Sequence, residues 1–181
     1  MRELLPLALL ALSCGAHARP AVEEPAEVLR LDGWPPLPHV EGTAVVRLLA
    51  IAEALPPLPA ADGLAWVERV FVPWMERRRR ELAQAAQLRR LARRGSSIER
   101  ALAVALHGAV LQRTHDALAG AHVERIGPAA AQVLVGPTGT LAKKARRAFE
   151  VCHQLALDAG SILDGWRRAC DEHLARLPDD S

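Results

Sequence analysis

The chain has 181 residues, half of them apolar, with no tyrosine, two phenylalanines and a formal net charge of +2. That length suits one domain plus a tail, and the shortage of aromatic residues, which strands favour, argues against a strand-rich fold and for an all-α one. The small net charge conceals three blocks: residues 19–76 sum to −5, 77–147 to +11 and 148–181 to −4. A basic centre between acidic flanks reads either as opposite charges packed within one domain or as a surface for an anionic partner.

Met1 to Ala18 has the parts of an export signal. Arg2 opens it, Leu4 to Leu12 is a short apolar run, and Ala16-His17-Ala18 fits a small-x-small cleavage site. Ala11-Leu12-Ser13-Cys14 resembles a bacterial lipobox, with Ala11 where leucine is usual. The resemblance covers this segment alone and implies lipid attachment at Cys14. Residues 1–18 are therefore expected to be a signal segment, cut before Cys14 or after Ala18. Residues 19–40, rich in Pro, Ala and Glu, are expected to form a solvated tether. Residues 41–178 are expected to be the folded domain, in the cell envelope, either lipid-anchored to a membrane or periplasmic or secreted.

The strings Trp34-Pro35-Pro36-Leu37-Pro38 and Leu55-Pro56-Pro57-Leu58-Pro59 bracket a first helix over Glu41–Leu55. Its apolar side carries Val45, Leu48, Leu49, Ile51 and Ala52, and the prolines read as stiff connectors. After Asp62, an N-cap type, Leu64, Val67, Val70, Phe71 and Trp74 recur at helical spacing. Trp66 and Trp74 read as core anchors. Pro73 predicts either a kink or a new helix that starts there. Met75 to Arg94 holds eight arginines beside a stripe of Met75, Leu82, Ala85, Leu88 and Leu91, and Gly95 is expected to close this helix in a left-handed conformation.

Ala101 to Leu111 reads A-L-A-V-A-L-H-G-A-V-L, apolar almost all round. Such a helix must be enclosed by others, and it is shorter than the roughly 17–25 apolar residues that span a bilayer. Ser96-Ser97-Ile98-Glu99 precedes it in a capping-box pattern, so it is expected to run from Ser97 to about Ala119 as the centre of the bundle. Gly127-Pro128 and Gly136-Pro137-Thr138-Gly139 are turn signals, leaving Ala129–Val135 as a short helix or an extended piece.

Leu141–Ala159 and Ile162–Leu177 predict a helical hairpin joined at Gly160-Ser161. Its facing stripes are Ala145, Phe149, Cys152, Ala156 and Ile162, Trp166, Cys170, Leu174. Ser161 is midway between Cys152 and Cys170, so the two cysteines face each other and a disulfide is expected in an exported chain. Phe149-x-x-Cys152-His153 resembles a one-cysteine variant of the covalent haem motif of cytochrome c′-like proteins, with Phe149 in place of the first cysteine. No other feature accompanies it. The hairpin also lacks the tetratricopeptide positions.

The chain has no G-x-S-x-G elbow, zinc helix or glycine-rich nucleotide loop. His107 reads as a buried, hydrogen-bonded imidazole, and adjacent pairs such as His115–Asp116 are expected to point apart on a helix. No catalytic residue, metal site or cofactor is expected. The fold expected is a single irregular bundle of five or six helices. The function expected is a non-enzymatic envelope interaction module presenting Arg77, Arg78, Arg80, Arg89, Arg90, Arg93 and Arg94. Its partner would be an acidic protein or an anionic envelope or membrane surface, not nucleic acid. The alternatives are a small-ligand or metal-binding bundle using His107, His115 or His122, and an enzyme with a dispersed site.

Overall fold

The helix at the centre, Ser97–Ala119 (here α4), is closed at its start by the capping box the sequence suggests. Glu99 N donates to Ser96 Oγ at 3.2 Å, and Ser96 N donates to the Glu99 carboxylate at 2.8 Å. Each contact satisfies a backbone or side-chain group that a bare helix end would leave to water. Every residue from Ala101 to Gln112 is buried. In the computed structural model, residues 31–59, 64–120 and 128–178 are described, residues 64 and 128–136 by their backbone only. The signal segment and His122 lie outside these residues.

The other helices are α1 (Thr43–Glu53), a single turn α2 (Leu64–Trp66), α3 (Val72–Ala92), α5 (Pro128–Asp158) and α6 (Asp164–Arg176). No strand occurs among the described residues. The protein is an all-α bundle in which α4 packs against α1, α3, α5 and α6, and α5 pairs with α6 as a C-terminal hairpin. Both alternatives at Pro73 are partly realised: a π-helical turn, Val67–Phe71, carries the chain from α2 into α3, whose first turn holds Pro73. This second, smaller core joins Trp66, Trp74 and Leu118.

Gly108 permits a close approach of α5 to α4. A Cβ there would stand 2.5 Å from Phe149 Cε1 and 3.2 Å from the Ala148 Cβ. The missing side chain lets α5 seat the fully buried Phe149 ring against α4. The hairpin turns at Gly160, whose φ of 77° suits glycine. Beyond it Cys152 and Cys170 lie opposite each other as expected, with the sulfurs 2.05 Å apart.

Four local expectations are corrected. α5 begins at Pro128 and runs unbroken through Gly136-Pro137-Thr138-Gly139. An internal proline costs a helix about 3 kcal/mol, but most helical stability in proteins comes from packing an apolar face, and α5 has α4 and α6 to pack on. Gly95 is not left-handed: α3 ends at Ala92 with an αR cap at Arg93, and a Cβ on Gly95 would collide with the Glu99 carboxylate of the capping box. Ile162 is 57% exposed and Leu163 takes the buried place, because the 3₁₀ turn Ser161–Leu163 rotates the stripe before α6 starts. In α3, Leu91 is 53% exposed and Ala92 is buried instead.

The proline-rich segment ahead of α1 lies on the core through Leu31, Trp34, Leu37 and Val40. Trp34 stacks on His173 with ring centroids 4.6 Å apart, and Trp166 Nε1 donates to the Pro36 carbonyl at 3.2 Å. His173 Nδ1 donates to Gln112 Oε1 at 2.7 Å, which satisfies a buried amide of α4.

Candidate functional site

The eight arginines of α3 and of the turn that follows it divide into groups by surroundings. Arg78 is 2% exposed and belongs to the core. Its guanidinium donates to the Pro56 carbonyl, pairs with Glu81 at 2.8 Å and lies 4.8 Å from the Trp74 ring centroid. Burial pushes its pKa down and Glu81 partly restores it. With Arg113, which donates to the Ala52 carbonyl, it holds the end of α1 and the following proline string onto the bundle. Arg77 is exposed and paired with Glu81 at 2.9 Å.

Arg79, Arg80, Arg90, Arg93 and Arg94 form the second group. All are exposed, and none has a hydrogen-bond or ion-pair partner among the described residues. On a helix of 3.6 residues per turn, Arg79, Arg90 and the cap residue Arg93 fall within an arc of about 60°, and Arg94 follows in the turn that closes α3. They make one cationic face pointing away from α4. Long arginine side chains gain little from isolated surface pairs, so an unpaired row costs the fold little and leaves charge for a partner.

Arg89 stands alone between this face and a cleft. α3 and α5 each pack on α4 and leave a trough of about 510 Å³ between them. α3 supplies Leu82 and Arg89, α4 supplies His107 and Leu111, and α5 supplies Lys144 and Ala148. The pairs 107–111 and 144–148 are each one turn apart, and 82–89 two turns, so each helix offers one face. The lining contains no Asp or Glu. Arg147 also borders the trough, but it pairs with Glu150 at 3.2 Å.

His107 is 9% exposed, and its Nδ1 is buried without a hydrogen-bond partner. The hydrogen bond expected for this imidazole is therefore missing on that side. Burial, then Arg89, then Lys144 push its pKa down to about 4. The ring is neutral at pH 7. Arg89 Nε is likewise buried and unpartnered, and burial, Arg93 and Arg90 press its pKa down.

The His107 shift makes stability depend on pH. Its folded pKa lies below its ordinary value, so the unfolded chain binds the proton more tightly. Stability is full above pH 6.5 and falls as the pH drops towards 4, by roughly 3 kcal/mol across the shift. His173, lowered first by burial, acts in the same direction. Urea unfolding at pH 7 and pH 4.5 should show a lower midpoint at pH 4.5. His107→Gln should flatten that difference, and an unchanged difference would refute the assignment to His107.

His115 is joined to Asp116, Nδ1 to Oδ1 at 3.0 Å, rather than turned away from it. His153 contacts Asp171 at 2.6 Å across the hairpin. No group of three or more His, Cys, Asp or Glu side chains converges among the described residues, and the thiols of Cys152 and Cys170 are joined to each other. Lys144 and the cleft had no signal in the sequence. The trough exists because small residues, Ala83 and Ala86 of α3 and Ala148 of α5, line two helices that both pack on α4. No described helix is long and apolar enough to cross a membrane. No protein-family model matches the chain, and no curated protein or solved structure is significantly similar to it.

Proposed function

We propose that this protein is a non-enzymatic module of the bacterial cell envelope, exported or tethered through Cys14, that holds to an anionic membrane surface through α3. The observation that carries the proposal is the row of Arg79, Arg90, Arg93 and Arg94, exposed and unpaired on one face. The export reading rests on the N-terminal segment and is consistent with the Cys152–Cys170 pair, since disulfides persist in oxidising compartments. A single acyl chain binds a membrane only marginally, and a chain plus basic residues binds firmly. Lipid and arginine face would therefore act together.

Each basic residue near an anionic surface contributes about 1 kcal/mol. Reversing Arg79, Arg90, Arg93 and Arg94 to glutamate removes four attractions and adds four repulsions. The expected result is loss of measurable binding of the unlipidated chain to phosphatidylglycerol vesicles, with helical content and urea midpoint retained. Vesicle binding that survives the four reversals would refute the proposal. Absence of wild-type vesicle binding, with retention of an acidic protein on the same face, would replace the membrane by a protein partner.

A further inference from the structure

The trough between α3 and α5 combines features that an idle packing defect lacks. Its walls are aliphatic, its mouth carries Arg89 and Lys144, and no carboxylate lines it to neutralise them. Its floor holds a neutral imidazole, nine-tenths buried, with one ring nitrogen unpartnered. Buried polar atoms without partners are uncommon in native proteins and ask for an explanation. Two of them, His107 Nδ1 and Arg89 Nε, belong to side chains lining this one trough. The volume of about 510 Å³ lies within the usual range of small-molecule sites, roughly 300–1,000 Å³.

The geometry points to a binding site for an amphipathic monocarboxylate, a single-chain fatty acid, with its alkyl chain along Leu82, Leu111 and Ala148 and its carboxylate between Arg89 and Lys144. The lining selects this chemistry. Sugars and nucleotides need many polar partners, and these walls offer few. A neutral hydrocarbon would leave the cations at the mouth unused. The Arg89 guanidinium has already lost water at Nε, so an arriving anion meets less desolvation there than at a fully hydrated arginine. A carboxylate at that position also offsets the two cations that bear on His107, so a bound ligand makes the imidazole easier to protonate. The inference stands apart from the membrane proposal, since Arg79, Arg90, Arg93 and Arg94 do not line the trough.

The test is titration of the full chain with decanoate, below its micelle-forming concentration, read by calorimetry and by the ring resonances of His107. Decanoate is expected to bind once per chain, to shift those resonances and to raise the pKa of His107. Decanol and acetate, which lack the charge and the chain respectively, should bind at least tenfold more weakly. Ala86 of α3 also lines the trough, and Ala86→Phe, which fills it, should abolish binding. Arg89→Gln with Lys144→Gln should weaken it at least tenfold, while Arg94→Gln should leave it unchanged. Helical content and urea midpoint are measured for every variant, so a fold defect is recognised as such. The inference is overturned if the wild-type chain does not bind decanoate, if Ala86→Phe binds it equally well, or if decanol binds as tightly.

Discussion

Replacing Phe149 by alanine should lower the unfolding free energy by about 3–5 kcal/mol, a large part of the roughly 5–15 kcal/mol that stabilises an ordinary domain. Phe149 is fully buried where α5 meets α4, and its ring occupies the space that a side chain on Gly108 would need. Gly108→Ala should itself be destabilising. The new Cβ would stand 2.5 Å from Phe149 Cε1, and overpacking of this kind costs about 1–3 kcal/mol. Alanine returns up to about 1 kcal/mol of helix propensity, so the net loss is smaller than the clash alone. In a Phe149→Ala background the ring clash is gone, the tight 3.2 Å approach to the Ala148 Cβ remains, and the propensity gain persists. There Gly108→Ala should be markedly less destabilising than in the wild-type chain. Urea unfolding of the two single variants and the double variant closes the cycle. Equal destabilisation by Gly108→Ala in both backgrounds would show that contact with Phe149 is not why glycine occupies position 108.

The second large effect is expected from opening the Cys152–Cys170 bond. The two cysteines are 18 residues apart in sequence, and a loop of that size contributes about 3 kcal/mol in the chain-entropy model. For a chain of this length, each kcal/mol corresponds to roughly 2–4 °C in melting temperature. Reduction should therefore lower the midpoint by roughly 6–12 °C without dismantling the hairpin, which the His153–Asp171 contact and the buried faces of Phe149 and Trp166 still join. The unreduced chain should gain two hydrogens in mass on reduction. A midpoint insensitive to reductant, or free thiols in the chain isolated from its host, would contradict this account of the hairpin.

Several elements were legible because their signals are local and redundant. α4 announced itself by an apolar run without a polar face, preceded by Ser96 and Glu99 at the spacing a capping box needs. The cysteine pairing followed from symmetry about Ser161, which holds for any antiparallel hairpin turning there. The path through Gly136-Pro137-Thr138-Gly139 was not legible, because the local turn preferences of these four residues point against the helix that α5 carries through them. The misplacement of Ile162 and Leu91 has a similar origin. A 3₁₀ turn shifts the register at one, and the other falls at the end of α3, where Ala92 takes the buried place. Among the arginines, sequence alone could not separate Arg78 from its neighbours. Its burial depends on Trp74 and on Pro56, 22 residues away. The trough was beyond the sequence for the same reason, since it is a property of how α3 and α5 straddle α4.

The most direct test of the membrane proposal is flotation of the unlipidated chain with vesicles of phosphatidylglycerol and, separately, of neutral phosphatidylcholine, over rising salt. The account predicts binding to the anionic vesicles alone, weakening steadily as salt screens the arginine face. Equal binding to both lipids, binding indifferent to salt, or no binding to the anionic vesicles at low salt would contradict it.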